Sequence, residues 1–335
     1  MEEKRDKTRE RMRAAGAALL SMQRHSWEQG LAIQAFYEIG DMETVVRLAY
    51  ESVYRAMPDG RAATIGVVDA ITDPVSVGEA LLAACEKTGD VFLIRGEEKL
   101  RKWALETAPR SPEGLLYHLN TGTEFWADST YMLPPYLAVI GEKKEAIHQF
   151  QGYWDALYDK KAGLLVHMWD DSRKIWSDPL HWGIGNGWCL MAIARLCGTL
   201  KKDPDYAEAV KDLAEKGALL LNNVLRTREE NGTFHDILDD PETFEETGIA
   251  QMCAYTIYRG LKDGWLSTAS TSRQTWLDVA DQLRKMAEAK QDAYGFIHQV
   301  CGAPTFDKSG IAPEQQAIFL MMEQAYLLTD KEEIC

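Results

Sequence analysis

Residues 31–41 read LAIQAFYEIGD, and the way this stretch stops decides the fold. Apolar residues recur at helical spacing through LAIQAFYEI, and Gly40-Asp41 then ends one helix and offers a charged restart for the next. The same figure returns in EALLAACEKT before Gly89-Asp90 and in CLMAIARLC before Gly198, with further stops at Gly141-Glu142, Gly260 and Thr329-Asp330. These stops lie about 50 to 70 residues apart, a period that signals repeated supersecondary units, and two helices fit each interval. Alternating runs and Asn-Gly turns are few, so the chain reads as all-α. Six helical hairpins without a Pro/Gly/Ser-rich linker predict one closed ring, an (α/α)6 barrel whose inner helices shape a pocket at one end, as a single domain over residues 1–335. The period alone leaves an open α-solenoid as the alternative.

Composition bounds the function. With 335 residues, 46% hydrophobic and 27% charged, the chain buries a large core. A formal charge of -15 repels nucleic acid and anionic membrane surfaces, although a small pocket can still be locally neutral or basic toward an acidic sugar. No stretch approaches the roughly 18 to 20 apolar residues of a membrane span. The start carries acids and lacks a small-residue cleavage site after a long apolar run, so a cytoplasmic location is expected. Cys85, Cys189, Cys197, Cys253, Cys301 and Cys335 show no CxxC spacing, which argues for reduced, mostly buried thiols rather than disulfides or zinc.

The segments between helices are unusual for a scaffold. HSWEQG, GLLYHLNTGTEFWADSTYM, GLLVHMWDDSRKIWSDPLHWGIGNGW and GTFHDILDDPETFEETG combine aromatics with acids and hold Trp27, Trp126, Trp169, Trp176, Trp182 and Trp188. Indole faces beside carboxylates suit a carbohydrate, which stacks by its apolar faces and bonds by its edges. The alternative is that each Trp is a core residue. GxxxxGK[ST], GxGxxG after a strand, HExxH and GxSxG are all absent, so no cofactor and no metal site are inferred.

SWEQG (26–30), WADSTYMLPPYLA (126–138), WGIGNGW (182–188), GLLVHMWD (163–170), LDDPETFEETGIAQMCAYTIYRGLKDGWL (238–266) and GFIHQVCG (295–302) together resemble the unsaturated glucuronyl and rhamnogalacturonyl hydrolases, glycoside hydrolase families 88 and 105. The resemblance covers most of the chain and implies an (α/α)6 barrel. It places Asp128 on the catalytic carboxylate, Asp73 of DPVSVG on a second acid, and His167 on a substrate-contacting histidine. Trp126, Trp182, Asn186, Trp188 and Trp27 complete the expected sugar contacts. Two positions depart from the pattern: Ile184 stands where relatives carry Arg, and Ser129 stands where they carry Gly after the catalytic Asp.

The chemistry this implies is hydration. A 4,5-unsaturated uronate at the non-reducing end of a lyase-generated oligosaccharide holds a vinyl ether. Protonating C4 makes an oxocarbenium-like centre at C5, water adds there, and the resulting hemiketal opens to release the rest of the chain. One carboxyl serving first as acid and then as base suffices. Asp128, desolvated by Trp126 and Tyr131 and repelled by Asp73, is expected to have a raised pKa. Loss of the Arg at Ile184 favours neutral over sulfated neighbours of the unsaturated sugar. Alternatives are a hydrolase of saturated glucuronides on the same barrel and a non-catalytic sugar-binding barrel. Residue by residue, Asp73 before Pro74 also suits a helix cap, as does Asp128 before Ser-Thr. His167 also suits a surface histidine, Gly185 and Gly187 a tight backbone with Asn186 bonding locally in a turn, and Glu242, Glu245 and Glu246 a solvated face or cap.

Overall fold

The computed structural model describes residues 2–64, 68–266, 271–302 and 305–329. Its helices begin with α1 (Glu2–Met22), α2 (Ser26–Ile39), α3 (Met42–Tyr54), α4 (Gly78–Thr88), α5 (Val91–Lys102), α6 (Ser129–Met132), α7 (Pro134–Val139) and α8 (Lys143–Leu157). They continue with α9 (Gly183–Leu200), α10 (Ala207–Arg226), α11 (Gly248–Asp263), α12 (Arg273–Glu288) and α13 (Pro313–Thr329). The chain divides into two compact units. One, made of Gln23–Tyr158 and Val166–Pro179, holds the hairpins α2/α3, α4/α5 and α6–α7/α8. The other, made of Met1–Met22, Asp159–Leu165 and Leu180–Cys335, holds α9/α10, α11/α12 and the pair α13/α1.

The Gly-Asp dipeptides are two caps in succession. Gly40 takes a left-handed φ of 84°, the N–H groups of Gly40 and Asp41 donate to Tyr37 O and Phe36 O, and Asp41 then accepts from Thr44 N at 3.1 Å to start α3. Gly89 (φ 65°) and Asp90, which accepts from Phe92 N at 2.7 Å, repeat this between α4 and α5. Two expected stops are not stops. Gly198 lies inside α9, where an added Cβ would meet Asp263 Oδ2 at 2.9 Å, and Gly260 lies inside α11 against Leu266 and Trp265. Both are glycines of close packing, and the real end of α11 is Gly264 with φ 75°. Of the last expected stop, Asp330 lies outside the described residues, as does Cys335; the five described cysteines are free and buried.

In the unit that holds α1 and α9 to α13, one helix of each pair is buried on nearly all sides and its partner on one. α9 buries 16 of its 18 residues and α13 buries 15 of 17. α10, by contrast, buries Leu213, Gly217, Leu220, Leu221 and Val224, a single stripe at helical spacing. The first helix packs on the last, which an open solenoid would leave apart. Arg284 of α12 ties this junction: it donates to Glu323 Oε2 at 2.8 Å, Glu288 Oε1 at 2.7 Å and Thr8 Oγ1 at 3.0 Å, and it lies 3.7 Å over the Tyr326 ring.

Short strands join the helices. β1 (Glu124–Trp126), β2 (Met168–Asp170) and β3 (Ile175–Asp178) form an antiparallel sheet in that order, and β4 (Phe234–His235) pairs with β5 (Glu245–Glu246). Runs of two to four residues are too brief for alternation to mark them, which is why the sequence reads as helix and loop alone. Glu246, expected on a solvated face or as a cap, is fully buried and accepts from Ile249 N at 2.9 Å and from Gly248 N, capping α11. Burial pushes its carboxyl up to about 8, against the pull of those amides. A raised folded-state pKa stabilises the fold below the ordinary carboxylate range, and that stability is lost as pH rises through about 8. Glu246→Gln keeps an acceptor for the cap and has no charge to bury. Unfolding free energies by denaturant should show the variant gaining on wild type between about pH 5 and about pH 9.

Candidate active site

The β1–β2 ladder brings two distant residues together. Its register pairs Glu124 with Asp170, Phe125 with Trp169 and Trp126 with Met168, and one step further Ala127 N–H donates to His167 O at 2.9 Å. Asp128 and His167 therefore leave the same end of the ladder side by side, with His167 Nε2 3.9 Å from Asp128 Oδ2. Asp128 stands at the start of α6, where its backbone carbonyl accepts from Tyr131 N and Met132 N, but its carboxyl makes no cap hydrogen bond. A register irregularity between Met168 and Trp169 sets Asp178 opposite Met168, and Asp178 Oδ2 lies 2.9 Å from His167 Nδ1.

Asp73 arrives by a second route. It opens a 3-10 helix, Asp73–Val77, and again its carboxyl caps nothing; Ser76 Oγ donates instead to Asp73 O at 2.6 Å. The residues just before it are bonded to the chain around His118, with Ile71 N donating to His118 O at 2.8 Å, while His118 N donates to Glu124 O at 2.8 Å. His118 Nε2 thus faces Asp73 Oδ1 at 3.8 Å. The opposite nitrogen, Nδ1, sits between the hydroxyls of Thr72 at 2.9 Å and Ser129 at 3.1 Å. Trp126 stacks on His118 at 4.2 Å and meets His167 edge-on at 5.6 Å, while its Nε1 donates to Glu124.

Two histidines each face one aspartate, and their other nitrogens differ in charge environment. Burial, followed by the influence of His167, pushes His118 down to about 3, so it stays neutral near neutrality. Burial and then the charge of Asp128 hold the Asp73 carboxyl well above the usual carboxylate range. Burial also raises Asp128, while His167 and the chain's own amide pull it back. The larger shift thus falls on Asp73, whose side chain is 7% exposed against 18% for Asp128. Asp73 Oδ1 and Asp128 Oδ2 are both buried without a hydrogen-bond partner. Of the two, Asp128 is the less shifted and the more exposed member.

Of the residues expected at the site, Asp73, Asp128, Trp126 and His167 come together in the first unit. Trp27 is in the same unit but belongs to α2 rather than to a loop, and it stacks on His25 at 4.6 Å. Trp182, Asn186 and Trp188 belong to the other unit. Trp182 Nε1 donates to Asp236 Oδ1 at 3.1 Å. Asn186 lies in the first turn of α9 rather than in a turn of its own. Its Nδ2 donates to Leu165 O and Trp182 O, and its Oδ1 accepts from Leu165 N. Trp188 is in α9 and 2% exposed, and Ile184 is equally buried. Gly187 serves helix packing, since a Cβ there would meet Met252 Sδ at 2.2 Å. Trp169 and Trp176 face each other across β2 and β3. His118, Thr72 and Asp178 escaped the sequence reading, because nothing in their spacing points to a histidine 45 residues after Asp73 or an acid 50 after Asp128. Among the described residues, no group of three or more His, Cys, Asp or Glu is placed to hold a metal ion.

The chain is similar to known proteins in sequence and in fold. The sequence model of Glycosyl Hydrolase Family 88 matches residues 2–321. The unsaturated rhamnogalacturonyl hydrolase YesR of Bacillus subtilis (strain 168) is 27% identical over 241 residues, 67% of each chain. A solved structure of a possible member of the GH105 family from Salmonella enterica serovar Paratyphi A superposes with a TM-score of 0.82 at 18% identity, covering 96% of this chain and 94% of that one. A glycoside hydrolase of family 105 from C. acetobutylicum gives 0.77 at 20% identity, over 94% and 99%. These likenesses show the fold, the all-α (α/α)6 class of six helical hairpins.

The hydroxyl pair around His118 is testable. Thr72→Val and Ser129→Ala each leave one hydroxyl on Nδ1 and are expected to cost about 1 kcal/mol or less. The double variant leaves a buried nitrogen unpartnered, so its cost should exceed the sum of the singles by about 1 kcal/mol or more in denaturant unfolding. Strict additivity would mean that the two hydroxyls do not share this nitrogen.

Proposed function

The chain belongs to Glycosyl Hydrolase Family 88, and on that premise we propose that it removes a 4,5-unsaturated uronic acid from the non-reducing end of lyase-generated oligosaccharides by hydrating the C4=C5 bond. The observation that carries this reading is the buried carboxyl pair, in which Asp128 is the less shifted and the more accessible member. The Bacillus relative, an unsaturated rhamnogalacturonyl hydrolase, supports it. We further infer that residues 1–335 act as one catalytic domain, since the family match runs through both units.

In this mechanism the Asp128 carboxyl transfers its proton to C4, and the positive charge develops at C5, shared with the ring oxygen. The resulting carboxylate takes a proton from water as that water's oxygen bonds to C5, which restores the acid and completes the addition of one water. The C5 hemiketal opens, C1 becomes a free aldehyde carbon, and the remaining oligosaccharide leaves with its own oxygen. Asp73 keeps its proton throughout and so stays uncharged beside the developing cation and the substrate carboxylate. Trp126 and His167 are assigned contact with the unsaturated sugar, and the part-exposed Trp27 of the same unit is assigned further contact. Asn186 and Trp188 are assigned a bracing part, because the amide of one is fully bonded and the other is buried.

Two outcomes test the reading. Incubation with lyase-generated unsaturated disaccharides should abolish the ultraviolet absorbance of the conjugated double bond. Asp128→Asn should retain less than about one per cent of that rate with an unchanged melting temperature, since a positioned acid is worth roughly 10²- to 10⁴-fold. Cleavage of saturated glucuronides, or binding without turnover, would sink it. Second, Ile184 supplies no guanidinium, so kcat/KM should be higher on disaccharides with a neutral partner sugar than on sulfated ones. A preference for the sulfated substrate that persists at moderate salt would contradict that assignment.

A further inference from the structure

His167 has a neighbour on each ring nitrogen, and the two are not equivalent. Nδ1 lies 2.9 Å from Asp178 Oδ2, a hydrogen-bond distance, whereas Nε2 lies 3.9 Å from Asp128 Oδ2, which is too long for one. Asp178 is the last residue of β3, and the irregular β2–β3 register sets it opposite Met168, the residue after His167. Its side chain is 28% exposed, so it keeps solvent on one side while it holds the ring on the other. An ionised carboxylate is an acceptor only, so the bond to Asp178 requires the proton on Nδ1. A neutral ring held in this way carries a lone pair on Nε2, directed toward Asp128.

We propose that Asp178 is a positioning residue for the reaction: by accepting the Nδ1–H of His167 it turns an unprotonated Nε2 toward Asp128, so that the acid form of Asp128 meets an acceptor rather than a competing donor. This rests on the reading of Asp128 as the proton donor to C4. If Nε2 carried a proton instead, it would stabilise the Asp128 carboxylate, and less of the enzyme would hold the transferable proton at a given pH. Groups from β1 and β3 face His167. From β1 and the residues after it come Trp126, edge-on at 5.6 Å, and Asp128, and from β3 comes Asp178. His118, on the segment before β1, interacts with it electrostatically and is itself neutral. The next acid on the His167 strand, Asp170, is engaged by Arg173, Ser172 and Thr123.

The test is Asp178→Ala, with ¹⁵N NMR of the imidazole rings; the chain holds seven histidines, and His167→Gln identifies the signal of interest. In wild type near neutrality, Nδ1 of His167 should be protonated and Nε2 bare. In Asp178→Ala the proton should move to Nε2. On the unsaturated disaccharide, kcat should fall roughly tenfold to a hundredfold while KM changes little, and the alkaline limb of the kcat profile should move to lower pH. A melting temperature close to wild type separates these effects from a fold defect. The proposal is overturned if the tautomer is the same in both proteins, if wild-type His167 is doubly protonated where the enzyme turns over, or if the tautomer changes while kcat and the pH profile do not. Wild-type inactivity on the disaccharide would overturn the functional reading instead. It is told apart because the ring tautomer is read without substrate.

Discussion

Two carboxyl groups buried beside each other cannot both carry full charge, and the site is organised around that constraint. Removing Asp73 and Asp128 from water raises both pKa values, and the charge of Asp128 raises Asp73 further. The two acids face different partners. Asp128 faces His167, which is bonded to an anion, whereas Asp73 faces His118, which is buried between hydroxyls and stays neutral. The deeper acid therefore carries the larger upward shift and the shallower one the smaller. Acid-then-base chemistry at a single residue needs this asymmetry.

The scaffold achieves the asymmetry with few parts. Residues 73, 118, 128, 167 and 178 are far apart in the chain, yet three short strands and a few backbone hydrogen bonds converge them within one compact unit. The helices are held by contacts of their own. Gly-Asp turns make each hairpin abrupt, close-packing glycines such as Gly187 and Gly198 let α9 approach α11, and the Arg284 network fastens α1 to α12 and α13. A buried arginine with two carboxylates and a hydroxyl as partners fixes the geometry of this junction.

Much of the fold was legible because it is written in local grammar. Period, glycine stops and acidic restarts mark the hairpins at Gly40-Asp41 and Gly89-Asp90, where φ > 0 and an N-cap coincide. The grammar misleads at Gly198 and Gly260, since a glycine chosen for helix contact looks the same in sequence as one chosen for a left-handed turn. Asp128 stood out as an acid among aromatics. The cap readings of Asp73 and Asp128 fall because neither carboxyl caps its helix. His118 and Asp178 were illegible because their parts depend on strand register, which segments of two to four residues do not reveal. Ser129 was visible as a departure, but its bond to His118 was not.

The most direct test of proton delivery from Asp128 to C4 follows the isotopes. When wild-type enzyme acts on an unsaturated uronyl disaccharide in D2O, NMR of the product formed early in the reaction should show one deuteron at C4, on a single face, together with a keto carbon at C5. Release of the intact unsaturated monosaccharide, with its C4 vinyl proton retained and water added at C1, would contradict the account.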